Sequence, residues 1–338
     1  MDDSFAVGSH VAGGDDDPGT GRYIVCMTDI ADLTRVPSTS LAIADQDAHG
    51  FAQAIGRSFE RFGFAVVADH GIPADLIARA EAAAKAFFAL PEAVKRAYHV
   101  AGGGGQRGYT PFRVETAKDS TEADLKEFWH VGRELPAGHV YADQMPANLW
   151  PQEIADFRQT YLDLFAAFER TGARILSAIA LYLDLPADFF VDAVRDGNSI
   201  LRLLHYPPIG PDAPGIRAGA HEDINTITLL LGAEEGGLQL LDRDGRWLAP
   251  GELVVNIGDM LQRLTNGRLP STSHRVMNPP PERRGFARYS MPFFLHFRPD
   301  YLIETLPQTI TPERPNRFPE PITANDYLLE RLREIKLI

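Results

Sequence analysis

His221 and Asp223 stand two residues apart at the head of the run Ala220-His-Glu-Asp-Ile-Asn-Thr-Ile-Thr-Leu-Leu-Leu231. In an extended chain alternate side chains share a face, so the imidazole and the carboxylate project together and Glu222 points the other way. One histidine and one carboxylate reaching the same point form two thirds of the two-His-one-carboxylate set that holds non-haem Fe(II) with open positions. Taken alone, His-x-Asp is expected by chance about once in a chain of this kind. A third ligand is needed, and His274 in Pro270-Ser-Thr-Ser-His-Arg-Val-Met277 is the candidate. Between the two lie an apolar strand at 252–257 and turn signals at Gly258-Asp259 and Asn266-Gly267, enough chain to leave along a sheet and return.

A second i, i+2 pair, Arg288 and Ser290, lies in the apolar stretch Gly285-Phe-Ala-Arg-Tyr-Ser-Met-Pro-Phe-Phe294. An arginine fork beside a hydroxyl grips a carboxylate through two charge-assisted bonds and a third hydrogen bond. Arg263, Arg268, Arg275, Arg283 and Arg284 compete for the role, but only Arg288 has a serine two positions on within an apolar strand. The two pairs together describe a metal beside an anion anchor. Asn256 and Asp259 read as turn chemistry between strands. His130, His205 and His296 read as packing or hydrogen-bonding residues.

The elements that must position these residues follow from the rest of the chain. From Ser199 onward short apolar runs alternate with Gly, Pro, Asn and Asp: 200–205, 224–231, 238–241, 253–257, 273–277 and 288–295. Such a series predicts antiparallel β-structure of jelly-roll type, whose larger members enclose a ligand site. Upstream, Phe51, Ile55 and Phe59 recur at helical spacing over 45–61, and 64–68 reads as a buried strand. A helix is predicted from Ala74 to about Leu90, with Pro91 opening the next. The stretch 125–131 has strand character, and 154–185 reads as one long amphipathic helix ended by Leu185-Pro186. Near the end, 323–332 reads as an amphipathic helix capped by Thr323.

Six motifs in order, Tyr206-Pro-Pro208, His221-Glu-Asp223, Val255-Asn-Ile-Gly-Asp259, Thr265-Asn-Gly267, Ser273-His-Arg-Val276 and Arg288-Tyr-Ser290, resemble those of the iron(II)- and 2-oxoglutarate-dependent oxygenases, in the isopenicillin N synthase-like branch. Arg61-Phe-Gly-Phe64 followed by Asp69-His-Gly-Ile72 resembles that family's amino-terminal region. The resemblance implies a mixed α and β fold, with a double-stranded β-helix (jelly-roll) core, a helical amino-terminal region and a C-terminal helix. It implies Fe(II) on His221, Asp223 and His274, with 2-oxoglutarate as co-substrate on Arg288, Ser290 and Tyr206, and O₂ as oxidant. It places Tyr109, Phe112 and Arg113 near the substrate. Where many relatives carry Asn two positions before the tyrosine, this chain has Leu204. The expected reaction is oxidative decarboxylation of 2-oxoglutarate coupled to oxidation of a small organic substrate. Alternatives are an oxidase independent of 2-oxoglutarate, fragmentation of 2-oxoglutarate itself, a metal-dependent hydrolase, and a non-catalytic sensor on the same barrel.

Composition bounds these readings. The 338 residues are 44% hydrophobic, enough for an extensive core, and carry a net charge of −13 without a dense basic cluster. That balance argues for a small-molecule partner, and against nucleic acid or a membrane. Cys26 is the single cysteine, so the fold does not rest on an intrachain disulfide. No apolar leader or span opens the chain, which makes cytoplasmic residence the expectation. The expected organisation is a disordered leader at 1–22 with Met27 as a second candidate start, an amino-terminal helical region at 23–195, the jelly-roll at 196–302, and a C-terminal extension and helix at 303–338. A short strand is expected at 23–27.

Overall fold

A computed structural model of the chain describes residues 36–115, 122–210, 215–231, 238–240 and 253–334. The expected leader and the strand at 23–27 lie outside them. The strands are β1 Ser38–Ser40, β2 Phe64–Ala68, β3 Gly108–Thr110, β4 Glu127–Gly132, β5 Ile200–Tyr206, β6 Ala218–His221 and β7 Ile227–Leu231, followed by β8 Leu238–Leu240, β9 Leu253–Ile257, β10 His274–Val276, β11 Arg288–Ser290, β12 Pro292–Leu295, β13 Leu302–Ile303 and β14 Ile322–Thr323. The α-helices are α1 Ala48–Phe62, α2 Ala74–Phe88, α3 Glu92–Arg96, α4 Phe157–Tyr182, α5 Val191–Val194, α6 Asp259–Leu264 and α7 Ala324–Glu334.

The larger sheet runs β1-β2-β9-β7-β12-β5-β4-β3, with β11 also on β5, and the smaller runs β6-β10-β8. Apart from β1 on β2, every pair in them is antiparallel. These are the sheets of the jelly-roll that the sequence predicts. Strands from the amino-terminal region extend it, β2 pairing with β9 and β4 with β5.

Strand alternation gives the larger sheet two cores. Ala65, Val67, Leu229, Val255, Leu203 and Phe293 point to a helix-side core with Phe51, Phe59, Phe87 and Phe168. Phe64, Val66, Phe128, Leu204, Tyr206 and Val254 point the other way, into a cluster shared with Leu238 and Val276 of the smaller sheet. Helix α4 lies against the helix side, where the Phe168 ring stacks on Phe293 at 5.2 Å. A Cβ at Gly172 would meet Leu295 Cδ1 at 2.4 Å, so a larger residue there would have to displace the Leu295 side chain. Each fully buried large apolar side chain in such a core is worth about 1.5–3 kcal/mol.

Some boundaries differ from expectation. The long helix spans Phe157–Tyr182 rather than 154–185, with turns at both ends. The run at 288–295 is divided at Met291, before Pro292, which has no N–H to donate to a ladder, yet both halves keep one register on β5. Thr323 caps α7 as expected, its Oγ1 accepting from the Asp326 N–H at 3.1 Å. No helix among the described residues is long and apolar enough to cross a membrane.

Candidate metal centre and anion anchor

His221 ends β6 and His274 begins β10, and the two are direct partners across the antiparallel ladder. Their rings are 4.4 Å apart between centroids. The register shifts between this pair and the next, Val276 with Ala218, and a bulge of this kind re-aims a strand side chain at a site. Asp223 completes the group: its Oδ1 lies 3.9 Å from Nε2 of each histidine. Ligand atoms of all three fall within 4.8 Å of one another.

Asp223 does not sit in a strand. β6 stops at His221, and residues 222–226 form the connection to β7. The alternation nonetheless survives in burial, Glu222 being exposed and Asp223 buried. The connection is held by the start of α6, whose first N–H groups have no partner inside the helix. Asp259 N donates to Asp223 O at 2.7 Å and Met260 N to Asn225 O at 3.1 Å. Asn225 Nδ2 closes the turn by donating to Ile227 O at 2.9 Å.

Each ligand is oriented by a second bond. The Nδ1 atoms of His221 and His274 lie 2.8 Å from Gly219 O and 3.2 Å from Thr272 O. A carbonyl only accepts, so Nδ1 carries the proton and the Nε2 lone pair faces the centre. Asp223 Oδ2 accepts from Thr228 Oγ1 at 2.6 Å and from Asn256 Nδ2 at 2.8 Å, which leaves Oδ1 for a metal. Burial, reinforced by His274, lowers His221 to about 4, which keeps it neutral. Burial alone would raise the Asp223 carboxyl, but His274, His221 and the two hydrogen bonds hold it below its ordinary value. Two imidazoles bonded through Nδ1 and one carboxylate suit a divalent ion such as Fe(II).

The expected anion anchor lies on the same inner face of the larger sheet. Arg288 is paired with Tyr206 and Ser290 with Leu204 across β11 and β5. The Arg288 guanidinium stands 5.1 Å from the centre of the Tyr206 ring. Arg288, Ser290 and Tyr206 are all buried. Leu204, facing Ser290, brings no polar group.

The substrate-side candidates separate. Tyr109 is turned to the helix-side core, where its hydroxyl donates to Glu127 and packing against Phe87 fixes the ring. Phe112 is partly exposed, and Arg113, at φ +61°, lies 3.9 Å from Glu122.

Several residues at the site were read otherwise from sequence or not singled out. Asn256 is not turn chemistry: it sits inside β9, opposite Thr228, and holds Asp223. A polar residue within the apolar run Leu253–Ile257 was its signal. A buried charge chain also lines the inner face. Lys126 Nζ bonds Glu115 at 2.5 Å and Asp124 at 2.7 Å, Arg202 meets Glu115 at 3.3 Å, and Asp124 accepts from Gly219 N. Arg217 is 1% exposed, its guanidinium 5.9 Å from the Tyr206 ring.

Comparison with known proteins agrees with this geometry. Residues 30–153 match the family described as non-haem dioxygenase in morphine synthesis N-terminal, and residues 197–297 match the 2OG-Fe(II) oxygenase superfamily. The chain is similar to the 2-oxoglutarate-Fe(II) type oxidoreductase hxnY of Emericella nidulans, with 37% identity over 82% of each chain. A crystal structure of a 2OG-Fe(II) oxygenase family protein from Caulobacter crescentus is 56% identical, with a TM-score of 0.83 over 90% of this chain and 100% of that one. A full-length Neurospora crassa protein, solved in complex with alpha-KG, is 30% identical with a TM-score of 0.78, over 89% of this chain and 97% of that one.

Proposed function

The chain belongs to the 2OG-Fe(II) oxygenase superfamily, in its isopenicillin N synthase-like branch, and from that premise we propose that His221, Asp223 and His274 hold the iron while Arg288, Ser290 and Tyr206 hold the far carboxylate of 2-oxoglutarate. The protein is a non-haem Fe(II)- and 2-oxoglutarate-dependent dioxygenase. The observation that carries the residue assignment is the cross-strand pairing of His221 with His274, each Nδ1 bonded to a carbonyl, around a carboxylate whose other oxygen is already used.

Bound together, iron and 2-oxoglutarate would supply, with O₂ as the four-electron oxidant, oxidative decarboxylation to succinate and carbon dioxide coupled to two-electron oxidation of a small organic substrate. This chain's residues supply geometry and surroundings. The two carbonyl-bonded histidines, with Asp223, would hold the ion through three ligand atoms. Thr228 and Asn256 stop Asp223 from rotating. Arg288 and Ser290 fix the direction from which the co-substrate reaches the metal. Phe64 packs edge-on against His274 at 5.8 Å and shields that ligand from water. Phe112 and Arg113 remain our candidates for the substrate side.

We also propose cytoplasmic residence without a nucleic-acid or membrane partner, supported by the acidic charge and the single cysteine. The partition of the chain at 22, 195 and 302 is proposed on the same footing.

The test is anaerobic titration of Fe(II)-loaded protein with 2-oxoglutarate, followed by oxygen. A visible charge-transfer band, then succinate release, is expected. His274→Ala should lose both together with bound iron. Oxygen uptake that ignores 2-oxoglutarate would instead point to an oxidase that does not use it.

A further inference from the structure

Beside the proposed metal and co-substrate sites lies a buried cation that neither of them uses. Arg217 precedes β6 and is 1% exposed. Its Nη2 donates to Phe286 O at 3.0 Å, but Nε and Nη1 are buried without a hydrogen-bond partner among the described residues. A guanidinium withdrawn from water with donors unmet is costly, and such a group is normally matched by an anion. Burial, and then the charge of Arg288, lower its pKa to about 10, so it stays protonated at neutral pH.

Two observations separate this cation from the co-substrate grip. In the co-substrate reading the far carboxylate of 2-oxoglutarate meets an arginine fork, the Ser290 hydroxyl and the Tyr206 hydroxyl, which occupies its lone pairs. Arg217 also meets no carboxylate among the described residues, whereas Lys126 and Arg202 are paired with Glu115 and Asp124.

Chain connectivity places Arg217 beside the substrate-side segment. Arg113 N donates to Lys126 O at 3.2 Å, and Leu125 N donates to Ile216 O at 3.0 Å, so one short segment separates Phe112 and Arg113 from Arg217. Phe112, Val114 and Phe286 are exposed apolar side chains on these stretches, and Phe286 supplies the carbonyl that holds Arg217. An anion on Arg217 would thus have apolar surface nearby for the rest of its molecule.

We propose that Arg217 anchors a carboxylate of the prime substrate, which makes this dioxygenase one that acts on an organic acid with an apolar body. The proposal rests on the co-substrate reading given above. A purely apolar substrate would leave those two Arg217 donors without a partner among the described residues.

The test uses full-length protein loaded anaerobically with Fe(II) and saturating 2-oxoglutarate, and hexanoate and 3-phenylpropanoate as probes beside their amides. Calorimetry should detect carboxylate binding to the natural protein, with each amide at least tenfold weaker. Arg217→Gln should lose carboxylate affinity at least tenfold while its affinity for 2-oxoglutarate, read from the charge-transfer band, moves less than threefold. Arg217→Lys should restore part of the carboxylate binding, which a merely structural role would not predict. Natural protein that binds neither carboxylate at 50 mM overturns the proposal. So does an Arg217→Gln variant whose loss falls on 2-oxoglutarate, since Arg217 would then belong to the co-substrate grip. If no charge-transfer band forms, yet carboxylate binding is lost in Arg217→Gln and kept in Arg288→Gln, the co-substrate reading fails and the Arg217 assignment stands.

Discussion

Asn256 would not touch the proposed metal, yet it fixes one of the residues proposed to hold it. Its Nδ2 and the Thr228 hydroxyl hold Asp223 Oδ2, so Oδ1 has one orientation available. Partners of this kind are worth 10–100-fold in metal affinity, and Asn256→Ala should weaken Fe(II) binding by about that factor. Metal titration with circular dichroism as a folding control would check it; unchanged affinity would show that packing alone orients Asp223. Arg288→Lys probes the other end of the site. Replacing a planar fork by a point charge should cost about 1.5–3 kcal/mol of 2-oxoglutarate binding, or roughly 10–100-fold in its apparent Michaelis constant. Metal content should stay normal, and a parallel fall in iron would mean that Arg288 is structural. The two pairs proposed as ligands stand out in sequence because His-x-Asp and Arg-x-Ser put rare chemistry on alternate positions of apolar runs. Asn256 and Arg217 were not, because their meaning depends on partners 33 and 69 positions away in the chain.

At the scale of elements, β4, β5 and the start of β6 meet through charge rather than apolar packing alone. Glu115 bridges Lys126 and Arg202, and Lys126 also holds Asp124, which bonds Gly219 N beside His221. Burial opposes ionisation of Glu115, but Arg202 and Lys126 outweigh it and hold the carboxyl well below its ordinary range. A carboxyl depressed in the folded state stabilises the protein above its unfolded pKa, and the contribution is lost as pH falls. Glu115→Gln should therefore cost about 3 kcal/mol at pH 7 by leaving the buried Lys126 and the partly buried Arg202 short of one partner. The gap to the natural protein should narrow as pH drops below ~4.3, where the unfolded carboxyl takes up its proton. Urea melts at pH 7 and pH 3.5 would measure both, and a gap independent of pH would show that shape, not charge, is what Glu115 provides. The same elements mark what sequence reading could reach. Helices α1 and α2 and strands β2, β4 and β7 follow local periodicity and fall within a few residues of expectation. The order β1-β2-β9-β7-β12-β5-β4-β3 is made of pairings between distant segments, for which no local signal exists. Asp223 left its expected strand because α6 and Asn225 offer its connection better hydrogen bonds than a ladder would.

The whole molecule combines an acidic chain, net charge −13, with a buried guanidinium, Arg217, that meets no carboxylate among the described residues. Charges on the surface are screened within about 8–10 Å by physiological salt, so an incoming anion is held by the interior and not by the overall charge. The interior is also where folding and binding meet. Two imidazoles with ring centroids 4.4 Å apart beside a carboxylate, and two guanidinium groups around one tyrosine ring, are brought together only in the folded chain. Ligands that need those constellations bind the folded state alone, and at a hundred times the dissociation constant each adds about 2.7 kcal/mol of stability. For a chain of this size that corresponds to a rise in Tm of roughly 4 °C. The two effects should not be independent. A 2-oxoglutarate that chelates the metal and reaches Arg288 with its far end needs the ion in place. Anaerobic melts should therefore show a rise with Fe(II), a further rise on adding 2-oxoglutarate, and little response to 2-oxoglutarate after a chelator has removed the metal. In Arg288→Lys the metal-dependent rise should persist while the second rise shrinks. Equal stabilisation by 2-oxoglutarate with and without metal would mean that it is held by the arginines alone, and the proposed division between metal ligands and anion anchor would fall.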